Sequence, residues 1–154
     1  MLRIRLTRIS NDRHRFEAVR ADGSVELREL ETRSYLTHDL VHFALESEGK
    51  LDEGFYGLLA RGGGYEASAD MWAGDTGRIE KVVAMLQTAL KDEVETREFA
   101  KRASDAFHHI NELAPAWLTE DLIAGAVQRF RSLQGKWRAT PFGEAMDLTF
   151  SLRE

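Results

Sequence analysis

Leu2, Ile4 and Leu6 alternate with Arg3, Arg5 and Thr7 at the start of the chain, the period of a strand with one face buried and one wet. A polar turn at 10–13 precedes a second such stretch over His14–Arg20, and Asp22-Gly23 supplies the turn before Val25-Glu26-Leu27-Arg28 resumes the alternation, so the first thirty residues predict a three-stranded meander. From Ser34 the period becomes helical: Leu36, Leu40, Phe43, Ala44 and Ser47 share one side, with Ser34 or Thr32 as cap and Gly49 as stop. A short helix over Asp52–Arg61 is expected to carry Phe55, Leu58 and Leu59 inward. Residues 62–77, with Trp72 and the turn Gly74-Asp75-Thr76-Gly77, are the least regular part.

Ile79, Val82, Val83, Leu86 and Leu90 form a helical stripe, and Phe99, Ala103, Phe107 and Ile110 form another, with residues 92–96 either breaking or kinking the run. Thr119 before Glu120 and Asp121 caps a further helix that buries Leu122, Ile123, Ala126, Val127, Phe130 and Leu133 and closes at Gly135. Period two returns at Met146, Leu148, Phe150 and Leu152, with Trp137–Thr140 as the expected partner strand. The pattern predicts a single α+β domain over residues 1–154. Its antiparallel sheet is built from the N-terminal meander and a C-terminal hairpin and covered by about four helices.

The composition, with 43% apolar and 31% charged residues and 2 Pro in 154, is that of a packed domain. The chain has no cysteine, which excludes disulfides, thiolate nucleophiles and cysteine-ligated metals and fits a reducing compartment. Neither a signal peptide nor a membrane span is expected, and the predicted location is cytoplasmic. A net charge of −5 disfavours nonspecific nucleic-acid binding. Locally, residues 1–20 hold six Arg against Asp12 and Glu17. Arg3, Arg5, Arg15 and Arg28 are predicted to share the wet face with Glu17 and Glu26, which reads as a salt-bridged surface rather than a phosphate track.

The segment His38-Asp39-Leu40-Val41-His42-Phe43-Ala44-Leu45-Glu46 carries the main candidate chemistry. Residues four apart on a helix stack on one face, so His38, His42 and Glu46 project together. With Leu40 at zero and about 100° per residue, Leu36, Phe43 and Ala44 lie within roughly 60°, whereas His38, His42 and Glu46 lie near roughly 160°, 200° and 240°. That opposite face also holds Tyr35 and Leu45, and a helix apolar on two sides is usually covered on two sides. Two imidazoles and a carboxylate suffice for zinc or another divalent ion with an open position. Glu53, Glu66 and Asp70 are carboxylates from which the covering segment can supply a further ligand; Asp39 lies on a different face and serves the helix dipole.

Thr32–Glu46 together with Gly54-Phe55-Tyr56-Gly57-Leu58-Leu59-Ala60-Arg61-Gly62 resembles a group of small bacterial proteins of unknown function, a resemblance that implies no activity. His38-Asp39-x-x-His42 with a downstream Glu is also similar to the zinc motif of the coenzyme Q biosynthesis scaffold family. Here Glu53 falls one residue early, and that family is helical.

The other clusters carry less. His108, His109 and Glu112 fall on or beside the solvent side of their helix, and the glycine runs 54–57 and 62–64 lack the Lys-Ser or Lys-Thr of a phosphate loop. Two function classes remain. The first is a noncatalytic interaction or structural protein that self-associates, most simply as a dimer, through helix 34–48. The second is a divalent-metal-dependent enzyme of hydrolase or lyase type using His38, His42 and a carboxylate, Glu46 or Glu53.

Overall fold

The computed structural model describes residues 1–66 and 74–153. Strands β1 (Leu2–Arg8), β2 (Arg13–Val19) and β3 (Val25–Glu31) form the expected meander, and β4 (Ala145–Phe150) joins it on the far side of β1. The sheet order is β3-β2-β1-β4, antiparallel throughout. Leu2, Ile4, Leu6, Phe16, Ala18, Met146, Leu148 and Phe150 are all buried on one face. The intervening Arg3, Arg5, Arg15, Asp147 and Thr149 are exposed, with Arg5 bonded to Asp147 at 2.9 Å.

The register corrects one expectation about the arginines. Met146 pairs with Leu6, Leu6 with Phe16 and Phe16 with Arg28, while Ala18 pairs with Glu26. Side chains directly opposite share a face, so Arg28 and Glu26 belong to the helix-covered side and not to the wet one.

Among the described residues, five helices make up the layer on that side: α1 (Thr32–Gly49), α2 (Phe55–Ala60), α3 (Gly74–Lys91), α4 (Thr96–His109) and α5 (Glu120–Ala139). Helix α1 lies against α2, α3, α5 and β3, and every residue from Asp39 to Glu46 is buried. Its second apolar face, for which residues 52–77, another helix or a second subunit were the possible covers, is covered within the chain at Val41, His42, Leu45 and Glu46 and left exposed at Tyr35. One apolar cluster joins all four strands and all five helices. Among the described residues, no helix is long and apolar enough to cross a membrane.

Several boundaries differ from the sequence expectation. Helix α1 starts at Thr32 without a side-chain cap, and Ser34 instead donates to Glu31 at 3.0 Å. Its stop is Lys50 in the left-handed region at φ 51°, one residue past Gly49. Helix α2 is shorter than 52–61, and Gly74–Gly77 is the first turn of α3 rather than a loop; Trp72 and Asp70 lie outside the described residues. Glu93, at φ 54°, breaks α3 from α4, and Ile110 falls just past α4 and is exposed. Thr119 caps α5 as expected, accepting from the Leu122 N–H at 3.1 Å.

The C-terminal hairpin is replaced by a single strand. Gly135 does not end α5, because Trp137 continues the stripe of Phe130 and Leu133 at helical spacing and is buried with them, and that burial outweighs the helix-weakening glycine. The helix runs to Ala139, where Thr140 donates to the Lys136 carbonyl at 2.7 Å and Pro141 follows.

Candidate metal centre

Helix α1 places His38 and His42 one turn apart, their rings edge to face with centroids 4.7 Å apart. Opposite them, the stripe of Ile79, Val82, Val83 and Leu86 seats α3 on the core. Glu80 and Gln87, seven residues apart and thus on the same flank, meet the two histidines. Glu80 Oε1 lies 3.1 Å from His42 Nε2, and Glu80 Oε2 lies 4.0 Å from His38 Nε2. One ligand atom from each of His38, His42 and Glu80 falls within 4.8 Å of the others, the arrangement that suits a metal ion among the described residues.

The other nitrogen of each ring is already engaged. His38 Nδ1 lies 3.0 Å from Gln87 Oε1, and His42 Nδ1 lies 2.7 Å from Glu46 Oε2. Such outer contacts fix each ring's orientation, with Nε2 turned toward Glu80. Glu46 is held in turn by the N–H groups of Phe55 and Tyr56, which donate to it at 3.0 and 2.9 Å. A carboxylate at the start of α2 is where the unpaired N–H groups of a helix want one. This close approach requires Gly54, since a Cβ there would overlap the Glu46 carboxylate.

Most of the cluster is buried: His42, Glu46 and Glu80 are 1%, 0% and 4% exposed, while His38 is partly open to the cleft. Burial alone would discharge His42, but hydrogen bonds to Glu46 and Glu80 outweigh it and push its pKa up to about 10. Burial and the neighbouring His42 charge hold the His38 pKa below its usual value. Burial opposes ionisation of Glu80, yet its bond to His42 carries the pKa below the ordinary carboxylate range. Burial raises Asp39 to about 7 against the opposing bond from Tyr65, whose Oη donates to Asp39 Oδ2 at 2.8 Å.

These groups sit at the base of a cleft of about 360 Å³, walled by Leu30, Tyr35, Phe55 and Tyr65 and rimmed by Arg28 and Glu66. Asp39 lines the same cleft and does not serve the dipole from another face.

Of the four sequence candidates, His38 and His42 are brought together as expected. Glu46 stands behind His42, both its oxygens committed, so it orients the ring instead of offering a ligand atom. Glu53 is turned away: its carboxylate is half exposed and pairs with Arg61 at 3.4 Å, while its carbonyl accepts from Thr76 at 2.7 Å. The third member of the cluster, Glu80, is not among the residues singled out by the sequence. Its signal was the Glu80/Gln87 spacing beside the α3 stripe, legible only once α3 is known to pack on α1. His108 and His109 are exposed, and Glu112 pairs with Lys81 at 3.5 Å.

No family model, curated protein or solved structure matches the chain.

Proposed function

We propose that this protein is a divalent-metal-dependent enzyme of hydrolase or lyase type, with His38, His42 and Glu80 holding the ion. The observation that carries the reading is the convergence of these three side chains at the base of a cleft, each histidine oriented from behind by Glu46 or Gln87. Charge points the same way. Two buried carboxylates, Glu46 and Glu80, face the imidazole pair; a divalent cation matches their charge, whereas a single proton on His42 leaves one negative charge unmet. Two histidines and one glutamate leave an open position for a water, which zinc activates near neutral pH. Asp39, on the cleft wall with Tyr65 bonded to it, is the carboxyl group placed to exchange a proton with that water.

The noncatalytic, self-associating reading finds less support, because most of the α1 face it relied on is buried within the chain and Tyr35 alone of its apolar residues is exposed.

The test is elemental analysis of protein purified without a His tag, followed by zinc, manganese and nickel titration. Binding tighter than about 10 μM is expected, together with its loss in His42→Ala and Glu80→Gln variants that still melt cooperatively. Weaker binding, or equal binding in the variants, rejects the metal centre and leaves Glu46, His42 and Glu80 as a buried ion triad.

A further inference from the structure

Arg28 stands on an inward-facing position of the edge strand β3, in the cross-sheet row of Met146, Leu6 and Phe16. Such a position normally takes an apolar residue. Here the helical layer stops short of it, and the guanidinium lies on the rim of the cleft above His38, His42 and Glu80. Glu26, the acid beside it, is shared: it lies 2.8 Å from Arg28 and 3.7 Å from Arg20, and accepts the Tyr65 N–H at 3.1 Å. Two guanidinium groups thus meet one part-buried carboxylate. Among the described residues, the remaining positive charge is met by Glu66 alone, at 3.6 Å from Arg28 Nε, with a Glu66 side chain that is 82% exposed. A pair so exposed contributes little and is readily exchanged for another anion.

Below this rim the walls are apolar and aromatic. Phe55 and Tyr65 pack edge to face at 5.2 Å, and Tyr35 meets Tyr65 at 6.4 Å. A cleft with one cation at its mouth, aromatic walls and a polar base selects a molecule with one anionic end and an apolar body.

We infer that the cleft takes a small amphiphilic monoanion, a carboxylate with an aromatic or aliphatic body, whose carboxylate displaces Glu66 from Arg28. Its body lies against Tyr35, Phe55 and Tyr65, and its reacting bond reaches the base of the cleft. This inference deepens the metal-enzyme reading and rests on it for the reaction; the anion contact itself is made by Arg28 and is testable without metal.

The probes are 4-phenylbutyrate and its uncharged analogue 4-phenylbutanamide, titrated into chelator-treated protein and followed by backbone amide chemical shifts. Leaving the metal out removes a competing attraction for the carboxylate. Phenylbutyrate is expected to shift the signals of Leu30, Tyr35, Phe55 and Tyr65 and to saturate with a Kd of about 1 mM. The amide is expected to bind about fivefold more weakly, for want of a charge-assisted bond to Arg28. Arg28→Gln should bring phenylbutyrate down to the level of the amide, and Glu66→Gln should strengthen it by removing the competing carboxylate. Equal binding of the two probes, no binding of either, or unchanged binding in Arg28→Gln overturns the inference. Zinc titration of the same samples is read separately. Zinc bound with no phenylbutyrate preference leaves the metal centre standing alone, and the preference without zinc leaves the anion cleft standing without the enzyme.

Discussion

His14 is fully buried, with Nδ1 3.0 Å from Thr32 Oγ1, Nε2 without a partner among the described residues and its ring edge-on to Trp137 at 5.8 Å. Burial first, and then the adjacent Arg13 charge, lowers its pKa to about 4. The unfolded chain binds this proton near the ordinary value of about 6.5, before the folded protein does. The neutral histidine therefore favours the fold fully above that value, and the advantage drains away as pH falls toward 4. Integrated between the two pKa values, the loss is about 0.4 kcal/mol at pH 6.5, about 2 kcal/mol at pH 5 and about 3 kcal/mol at pH 4. The perturbation that isolates it is His14→Phe, which keeps a ring against Trp137 and cannot take up a proton. At pH 8 the variant loses one hydrogen bond, about 1 kcal/mol, and sheds an unpartnered buried nitrogen, about 1–3 kcal/mol, so it should lie within about 2 kcal/mol of wild type. Urea unfolding at pH 8, 6.5, 5 and 4 reads the difference between the two proteins, in which the contributions of shared carboxylates cancel. The difference should move toward the variant by about 3 kcal/mol between pH 8 and pH 4. Parallel loss of stability in the two proteins would refute a neutral His14 in the fold.

Glu46→Gln removes the charge behind His42 and gives one backbone donor an amide NH2 to face. It should weaken zinc binding by about 10- to 100-fold and lower stability by about 3 kcal/mol, read by metal titration and urea unfolding; unchanged zinc affinity would deny Glu46 its orienting role. Gly54→Ala introduces a methyl group into the Glu46 carboxylate, which three hydrogen bonds hold in place. A loss of about 2 kcal/mol in thermal unfolding is expected, and an unaltered melting temperature would show that the carboxylate can move aside.

The strands were legible because alternation is a local signal: Leu2, Ile4 and Leu6 and then Met146, Leu148 and Phe150 pointed inward as their spacing required. Trp137 was misplaced because Gly135 and Pro141 bracket it like a strand, and only its packing with Phe130 and Leu133 shows that the helix runs through. The same limit governed the site. His38 and His42 announce themselves by a four-residue spacing, whereas Glu80 reaches them across a helix–helix contact that no local period encodes. Glu46 shares the expected face, but the backbone donors that engage its oxygens come from Phe55 and Tyr56, nine and ten residues on, which no local period encodes.

Strand β1 lies between β2 and β4, and β4 follows it by more than a hundred residues: Leu2 pairs with Phe150 and Leu6 with Met146. Until β4 emerges from the ribosome the meander therefore presents the β1 edge unpaired, in addition to the β3 edge that stays open in the finished sheet. An open edge invites pairing with other nascent chains, and the β1 edge is closed only by a pairing of long sequence separation, of the kind that forms slowly. The arginines at positions 3 and 5 on the outer face of β1 give that interval an electrostatic guard, because two copies of the open strand brought edge to edge would bring like charges together.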